Sequence, residues 1–268
     1  MKKIAIGLIA FAISVCANAF DHNYVNYDSV LKKYVENGLV NYSKLKAERT
    51  TIDDFVNELK SVRSSEYDSW NNDQQLAFWI NAYNGWFLQI VIDHYPIKKQ
   101  ILKGIVYPDN SVQQIRGIWT EIKSKFAGQE VSLDTIEHTI LRPQFREPRI
   151  HFSIVCASIG CPVLRDEAFR ASELEKQLDD AARNFVNNPS KVQIVPAEKM
   201  IRISSIFDWF ASDFAKYSSD ALKQHYSKKE AGPIGLILKY VKPSDAKLIT
   251  DGLKVKYLDY DWSLNEKK

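Results

Sequence analysis

The 268-residue chain has 36 basic and 33 acidic residues, a formal charge of +3, and 45% hydrophobic residues. The lysines are dispersed among acidic residues, which argues against nucleic acid as the natural partner. The apolar content is sufficient for a substantial core, and no Gly/Ser-rich or Pro-rich linker divides the chain, so one folded domain is predicted.

The first 19 residues have the pattern of a secretory signal: Lys2 and Lys3, an apolar run from Ile4 to Val15, and the small-residue ending Ala17-Asn18-Ala19. We predict a signal peptide at 1–19 and a mature domain at 20–268, periplasmic or secreted, with a formal charge of +1 after loss of the two lysines. The apolar run is shorter than the roughly 20 residues that span a bilayer, so no stable membrane span is expected after cleavage. A lipoprotein anchored at Cys16 is the weaker alternative.

The first half of the chain is predicted to be helical. Helices are expected over 27–36, 51–62, 72–94 and 132–141. The third has apolar residues on every face and should be central and enclosed. It is expected to end before Pro96, and the fourth before Pro143.

The second half mixes strands and helices. The predicted elements, in order, are a strand at 149–156, a short helix at 162–169, a helix at 172–187 with Ser172 and Glu175 as a capping box, a hairpin of 192–195 and 200–203, helices at 205–215 and 234–240, and a strand at 255–258. Together they predict an α+β fold, a helix-rich single domain around a small, mainly antiparallel sheet.

One histidine and two cysteines fall within eleven residues, at positions 151, 156 and 161. Side chains alternate along a strand, so His151 and Cys156 should face opposite ways. The turn 157–160, with Gly160 free to adopt a positive φ, would return Cys161 to the strand face. Pro162 would then start a helix capped by Cys161, and the helix dipole would lower the pKa of the thiol. Cys161 is therefore favoured over Cys156 as a catalytic nucleophile.

Glu137 falls within the apolar stripe of its predicted helix, where a carboxylate needs a partner. It could form a structural ion pair or hydrogen bond with Arg142, Arg149 or another buried donor. Alternatively it could orient His151, completing a catalytic relay of Cys161, His151 and Glu137. His138 is an alternative base, and a surface position is the simpler interpretation of it.

Asn81 and Asn84 lie on one face of the most apolar predicted helix. A buried amide needs several hydrogen bonds, so each must either tie backbone segments together or point into a polar pocket. In the second case both are catalytic candidates, because an amide can donate to a developing oxyanion.

A metal site is a further possibility, since His138, His151, Cys156 and Cys161 are four potential ligands. Their spacing matches no familiar zinc pattern, and the chain contains no phosphate-binding loop or dinucleotide fingerprint. No metal and no cofactor are therefore expected.

Several blocks of the sequence resemble a known family. They are Phe78-Trp79-Ile80-Asn81-Ala82-Tyr83-Asn84, Ser132 to His138 with Leu141-Arg142, Arg149 to Cys156, Cys161-Pro162, Ile206 to Phe210 with Asp213-Phe214, and Tyr257 to Asn265. On these blocks the chain is identified as a member of the DUF547 family of domains of unknown function. The resemblance implies a distant similarity to papain-like and transglutaminase-like cysteine enzymes, and some relatives are joined to glutaredoxin domains. The chain departs from the pattern at Val163, where a proline is common, and its histidine precedes its cysteine, the reverse of the papain order.

These observations leave alternative functions open. The leading hypothesis is an exported cysteine-dependent hydrolase or acyl transferase that acts on an amide, isopeptide or γ-glutamyl-type bond of a small peptide-like substrate. It requires the Cys161 sulfur to be free. The alternative is a non-catalytic envelope binding module, which recognises an envelope component and contains a Cys156–Cys161 disulfide. A redox protein that cycles the same pair is a third possibility.

Overall fold

The computed structural model describes residues 19–267. The predicted signal peptide lies outside the described residues, apart from Ala19. The α-helices are α1 (Val25–Tyr34), α2 (Tyr42–Ala47), α3 (Thr50–Ser61), α4 (Ser64–Tyr67), α5 (Asn72–His94), α6 (Leu174–Val186), α7 (Ile206–Trp209), α8 (Asp220–Lys223), α9 (Lys228–Tyr240) and α10 (Pro243–Thr250). The strands are β1 (Val35–Glu36), β2 (Leu39–Val40), β3 (Ser124–Phe126), β4 (Gln129–Val131), β5 (Val192–Val195), β6 (Met200–Ser204) and β7 (Lys254–Leu258).

Helix α5 is the centre of the first hydrophobic core, as its sequence predicts. It begins with a capping box formed by Asn71 and Gln74, and it buries residues on every face. Helix α3 packs so closely against it that a Cβ atom at Gly85 would lie 2.4 Å from the Phe55 ring. Although α5 is long and apolar, no helix within residues 19–267 meets the combined requirements of length and hydropathy for crossing a membrane.

The strands form three small sheets. The pairs β1–β2 and β3–β4 are antiparallel hairpins, while β5, β6 and β7 form a three-stranded sheet. The predicted hairpin is present, with Val192 opposite Ile203. Strand β7 pairs with β6 in parallel. The fold is therefore helix-rich α+β with mainly antiparallel pairing, as predicted, but the strands form three small sheets rather than the one expected.

A second hydrophobic core lies around the three-stranded sheet and contains side chains from α6 and α9. The segment that carries the predicted histidine links the two cores, because Ile150 belongs to the first and Phe152 to the second. His151 is thereby held between them, at 3% exposure.

The predicted strand at 149–156 is wrong: Pro148–Phe152 forms a 3₁₀ helix followed by irregular chain. Pro148 occupies the first turn, where proline is favoured, and the Glu147 carboxylate accepts a hydrogen bond from the Arg149 amide. These local hydrogen bonds outweigh the β propensity of the apolar residues.

The predicted helix at 162–169 is also wrong, since this segment has no regular secondary structure. Side chains from distant helices bind its amides instead: Asp28 accepts from the Ala168 amide and Asn81 from the Phe169 amide. The predicted helix at 132–141 begins later and runs past Pro143 as a π-helix, Thr135–Phe145. The Ser172–Glu175 capping box does not form, because α6 begins at Leu174 and Glu175 binds Arg149 instead.

Candidate functional site

Five of the predicted site residues line one cavity of about 220 Å³. They are Glu137, His138, His151, Cys156 and Cys161. The cavity lies between the π-helix, the segment that follows the 3₁₀ helix, α7 and the C-terminal segment after β7. The tertiary structure thus brings these five residues to one cavity, although the sequence analysis expects His151 and Cys156 to face opposite ways and most of the local elements differ from the prediction.

Cys156 and Cys161 form a disulfide, with an S–S distance of 2.02 Å and Cα atoms 6.0 Å apart. The Cys161 sulfur accepts a hydrogen bond from the Cys156 amide at 2.7 Å, and the Tyr260 hydroxyl lies 3.0 Å from the Cys156 sulfur and 3.2 Å from the Cys161 sulfur. The expectation of a free Cys161 thiol at a helix start is therefore wrong for this state. No helix follows it, and its sulfur is already bonded.

The turn between the cysteines is fixed from two sides. Ala157, rather than the predicted Gly160, has the positive φ, at 53°. Gly160 is needed for a different reason: a Cβ atom there would lie 2.7 Å from the Tyr260 ring. The backbone of the turn also pairs with the C-terminal segment, and the ammonium group of Lys191 donates to the Ile159 carbonyl at 2.7 Å. Burial lowers the pKa of Lys191 to about 8.

His151 is paired with an acid that sequence reasoning did not assign. Its Nε2 atom lies 2.8 Å from Oδ2 of Asp213, and its ring stacks on Phe210 with centroids 3.9 Å apart. Burial lowers the pKa of the imidazole, and the neighbouring Asp213 carboxylate opposes that effect. We assign the Nε2–H tautomer on this hydrogen bond, which leaves Nδ1 as the basic atom. Nδ1 is buried and has no hydrogen-bond partner among the described residues.

Asp213 is held in its ionised form. Arg142 binds both of its oxygens, at 2.6 and 2.9 Å. Although burial opposes ionisation, the hydrogen bonds from Arg142 and His151 hold the pKa of Asp213 well below its usual range. The acid that orients His151 is therefore Asp213, not Glu137 as predicted. Its only sequence signal is its place in the Ile206 to Phe214 block that carries the family resemblance.

Glu137 lies on the other side of the imidazole, with Oε1 3.9 Å from His151 Nδ1. Burial raises the pKa of the Glu137 carboxyl group to about 7, and the positive charge of Arg142 only partly opposes this. His138 is the more exposed histidine, at 40% of its side chain, and its Nδ1 lies 2.8 Å from Arg142. The geometry thus favours His151 over His138 as the base.

Asn81 and Asn84 do not line the cavity, which contradicts their predicted role at an oxyanion. Asn81 exchanges two hydrogen bonds with the backbone of Phe169, at 2.7 and 2.9 Å. Asn84 donates to the Ser153 carbonyl and accepts from the Val155 amide, both at 2.9 Å. Both amides therefore tie irregular backbone to α5, the structural alternative of the sequence analysis.

The metal hypothesis gains no support. Within residues 19–267, no group of three or more histidine, cysteine or acidic side chains is arranged to hold a metal ion. The disulfide also removes both sulfurs as thiolate ligands in this state.

A comparison with known protein families gives a match. Residues 67–186 match the family described as "Protein of unknown function, DUF547". Searches of the curated proteins and of the solved structures found no match, so no papain-like fold is assigned. The matched region contains both cysteines and His151, while Asp213 and Tyr260 follow it. The chain therefore contains a DUF547 domain at residues 67–186.

Proposed function

We propose that the cavity is the active site of a cysteine-dependent hydrolase or acyl transferase, which acts on an amide, isopeptide or γ-glutamyl-type bond once the Cys156–Cys161 disulfide is reduced. One observation carries the proposal. Buried His151, held by a hydrogen bond of 2.8 Å to the half-buried Asp213, shares a cavity with Cys161 and has an Nδ1 atom without a partner. This combination of nucleophile, base and orienting acid is the requirement for thiol catalysis.

The chemistry begins with a dithiol reductant. It supplies two electrons and two protons, which break the S–S bond and give two thiols. His151 then takes the proton of the Cys161 thiol, and the thiolate attacks the carbonyl carbon of the substrate. The imidazolium, stabilised by Asp213, passes the proton to the leaving amine. Water or a second amine attacks the resulting thioester and restores the thiol. Tyr260, whose hydroxyl lies 3.2 Å from the Cys161 sulfur, is the nearby donor for the oxyanion.

The two cysteines provide a matched pair of variants for testing this mechanism. Wild-type protein and the Cys156→Ser and Cys161→Ser variants would be assayed on a library of peptide, isopeptide and γ-glutamyl amides, with and without a reductant. Wild type should turn over substrate only after reduction. Cys156→Ser should be active without reductant because its Cys161 cannot be bonded to it, and Cys161→Ser should be inactive in both conditions. Equal turnover by Cys161→Ser and reduced wild type would remove Cys161 from the mechanism.

A non-catalytic binding module is the second candidate, and the bonded state of the cysteines favours it. In that case the disulfide is structural and the cavity only binds its ligand, a small peptide-like molecule or an envelope component. No substrate in the library would then be turned over, and intact mass would show that neither cysteine is alkylated without reductant. Rapid alkylation of the isolated native protein would count against this candidate.

We also propose that the protein acts outside the cytoplasm, in the periplasm or as a secreted protein. The proposal depends on the charged, apolar and small-residue pattern of the first 19 residues. Expression with and without these residues, followed by cell fractionation, tests it. Export of both forms, or retention of both in the cytoplasm, would contradict a cleavable signal.

A further inference from the structure

The lining of the same cavity is rich in aromatic side chains and includes acidic ones. Six of its lining residues are aromatic: Tyr83, Trp119, Trp209, Phe210, Tyr260 and Trp262. The charged residues that line it are Asp134 and Glu137, and among the described residues no lysine or arginine does so. Aromatic faces and carboxylates both attract cations.

Three of the aromatic rings form a cluster on one wall. The ring centroids of Trp209 and Tyr260 are 4.8 Å apart, those of Tyr260 and Trp262 are 4.6 Å apart, and Trp209 and Trp262 are near-parallel at 6.1 Å. Trp209 is 47% exposed, so part of its surface is free to meet a ligand. Phe210 differs, since His151 stacks on it and the Arg142 guanidinium lies 5.1 Å from its centroid.

The carboxyl group of Glu137 has no cationic partner of its own. No hydrogen bond joins it to the described residues, and the neighbouring guanidinium of Arg142 is bound to both oxygens of Asp213. The His151 Nδ1 atom, 3.9 Å from it, is buried and also unpaired. Two polar groups without partners therefore belong to side chains that line the space that a ligand would fill.

We infer that the cavity binds an organic cation, an ammonium or guanidinium group carried on an apolar body. The charged group meets Glu137 and the Trp209, Tyr260 and Trp262 cluster, and the apolar body packs against Ile154, which also lines the cavity. The inference uses the cavity of the proposed function and deepens it, because the substrate, or the amine that accepts the acyl group, would be cationic.

Protonation of Glu137 makes the binding pH-dependent. A cation favours the ionised carboxylate, and burial places the pKa of that carboxyl group at about 7. The ionised fraction rises about tenfold between pH 6 and pH 8, so the affinity for a permanently charged cation should rise by up to about tenfold. The titratable and charged groups around Glu137 are Asp134, His138, Arg142, His151, Asp213, Tyr83 and Tyr260.

Calorimetry with choline and its uncharged isostere 3,3-dimethylbutan-1-ol tests the inference on the oxidised full chain. Choline should bind at least ten times more tightly than the alcohol, and more tightly at pH 8 than at pH 6. Glu137→Gln should weaken choline binding at least fivefold and abolish its pH dependence, and Trp209→Ala should weaken it comparably. Glu130→Gln is the control, because the side chain of Glu130 is 70% exposed on β4 and does not line the cavity.

Equal affinity for the two probes, no detectable choline binding, or wild-type affinity in Glu137→Gln would overturn the inference. The result is independent of catalysis because the disulfide stays intact. Loss of choline binding with turnover retained would contradict this inference alone. Choline binding without turnover would contradict the proposed enzyme alone.

Discussion

Replacing Glu137 by Gln should make the free energy of unfolding less sensitive to a rise in pH from 4 to 8. The glutamine keeps the shape of the protonated carboxyl group but cannot ionise. In wild type, burial raises the pKa of this group from 4.5 to about 7, which means that the folded state holds its proton more tightly than the unfolded chain does.

Proton linkage gives the direction and the size of the change in the free energy of unfolding. Below pH 4.5 the carboxyl group is protonated in both states and contributes no pH dependence. Between pH 4.5 and 7 the unfolded chain has lost its proton while the folded state retains it, so the free energy of unfolding falls as pH rises. The shift of about 2.5 pKa units, at 1.36 kcal/mol per unit, corresponds to about 3 kcal/mol, lost in full above pH 7. The variant should not show this loss.

Urea denaturation of wild type and Glu137→Gln at pH 4 and pH 8 measures the effect. Between these two pH values, wild type should lose about 3 kcal/mol more than the variant in its free energy of unfolding. The contributions of His138 and His151 are common to both proteins and largely cancel in the difference. If the free energy of unfolding changed by the same amount between pH 4 and pH 8 in both proteins, the reasoning would be refuted. Glu137 would then have the same pKa in the folded and unfolded states.

Three further substitutions test the structure around the cavity. Gly160→Ala should destabilise the protein by about 1–3 kcal/mol in chemical denaturation, because the new Cβ atom would lie 2.7 Å from the Tyr260 ring. Asn84→Ala should cost about 3 kcal/mol in the same assay, because it leaves the two backbone groups at Ser153 and Val155 without partners. Asp213→Asn should lower the pKa of the imidazole of His151 further in an NMR titration, since the anionic partner that raises it is lost.

Matched controls separate these effects from general sensitivity to substitution. The three atoms nearest to a Cβ atom at Gly104 all belong to the flexible Lys99 side chain, so Gly104→Ala should cost much less than Gly160→Ala. Asn187 is exposed, and Asn187→Ala should cost less than Asn84→Ala. Asp220 is exposed and pairs with Lys223, so Asp220→Asn should leave the His151 titration unchanged. If a control variant had the same effect as the variant it is matched to, the contact assigned to the test residue would be contradicted.

Elements with strong local patterns could be predicted from the sequence. Helix α5 matches its predicted bounds, because a continuous apolar stretch, a start near Asn72 and Pro96 beyond its end all act locally. The β5–β6 hairpin is present for the same reason, with two apolar runs joined by a short turn. The segment at 149–156 was mispredicted because its apolar residues suit a strand, whereas capping by Glu147 and packing between two cores select a 3₁₀ helix.

The sequence by itself determined which residues are close in the chain. The histidine and the two cysteines fall within eleven residues, so any compact turn keeps them together. Only the tertiary structure decided what surrounds them. Asp213 is 62 residues from His151 and Tyr260 is 99 from Cys161, and no local pattern encodes such pairs. They meet because α7, the 3₁₀ helix Ala211–Tyr217 and the C-terminal segment fold back over the cavity. Burial in this folded state then lowers the pKa of His151 and raises that of Glu137.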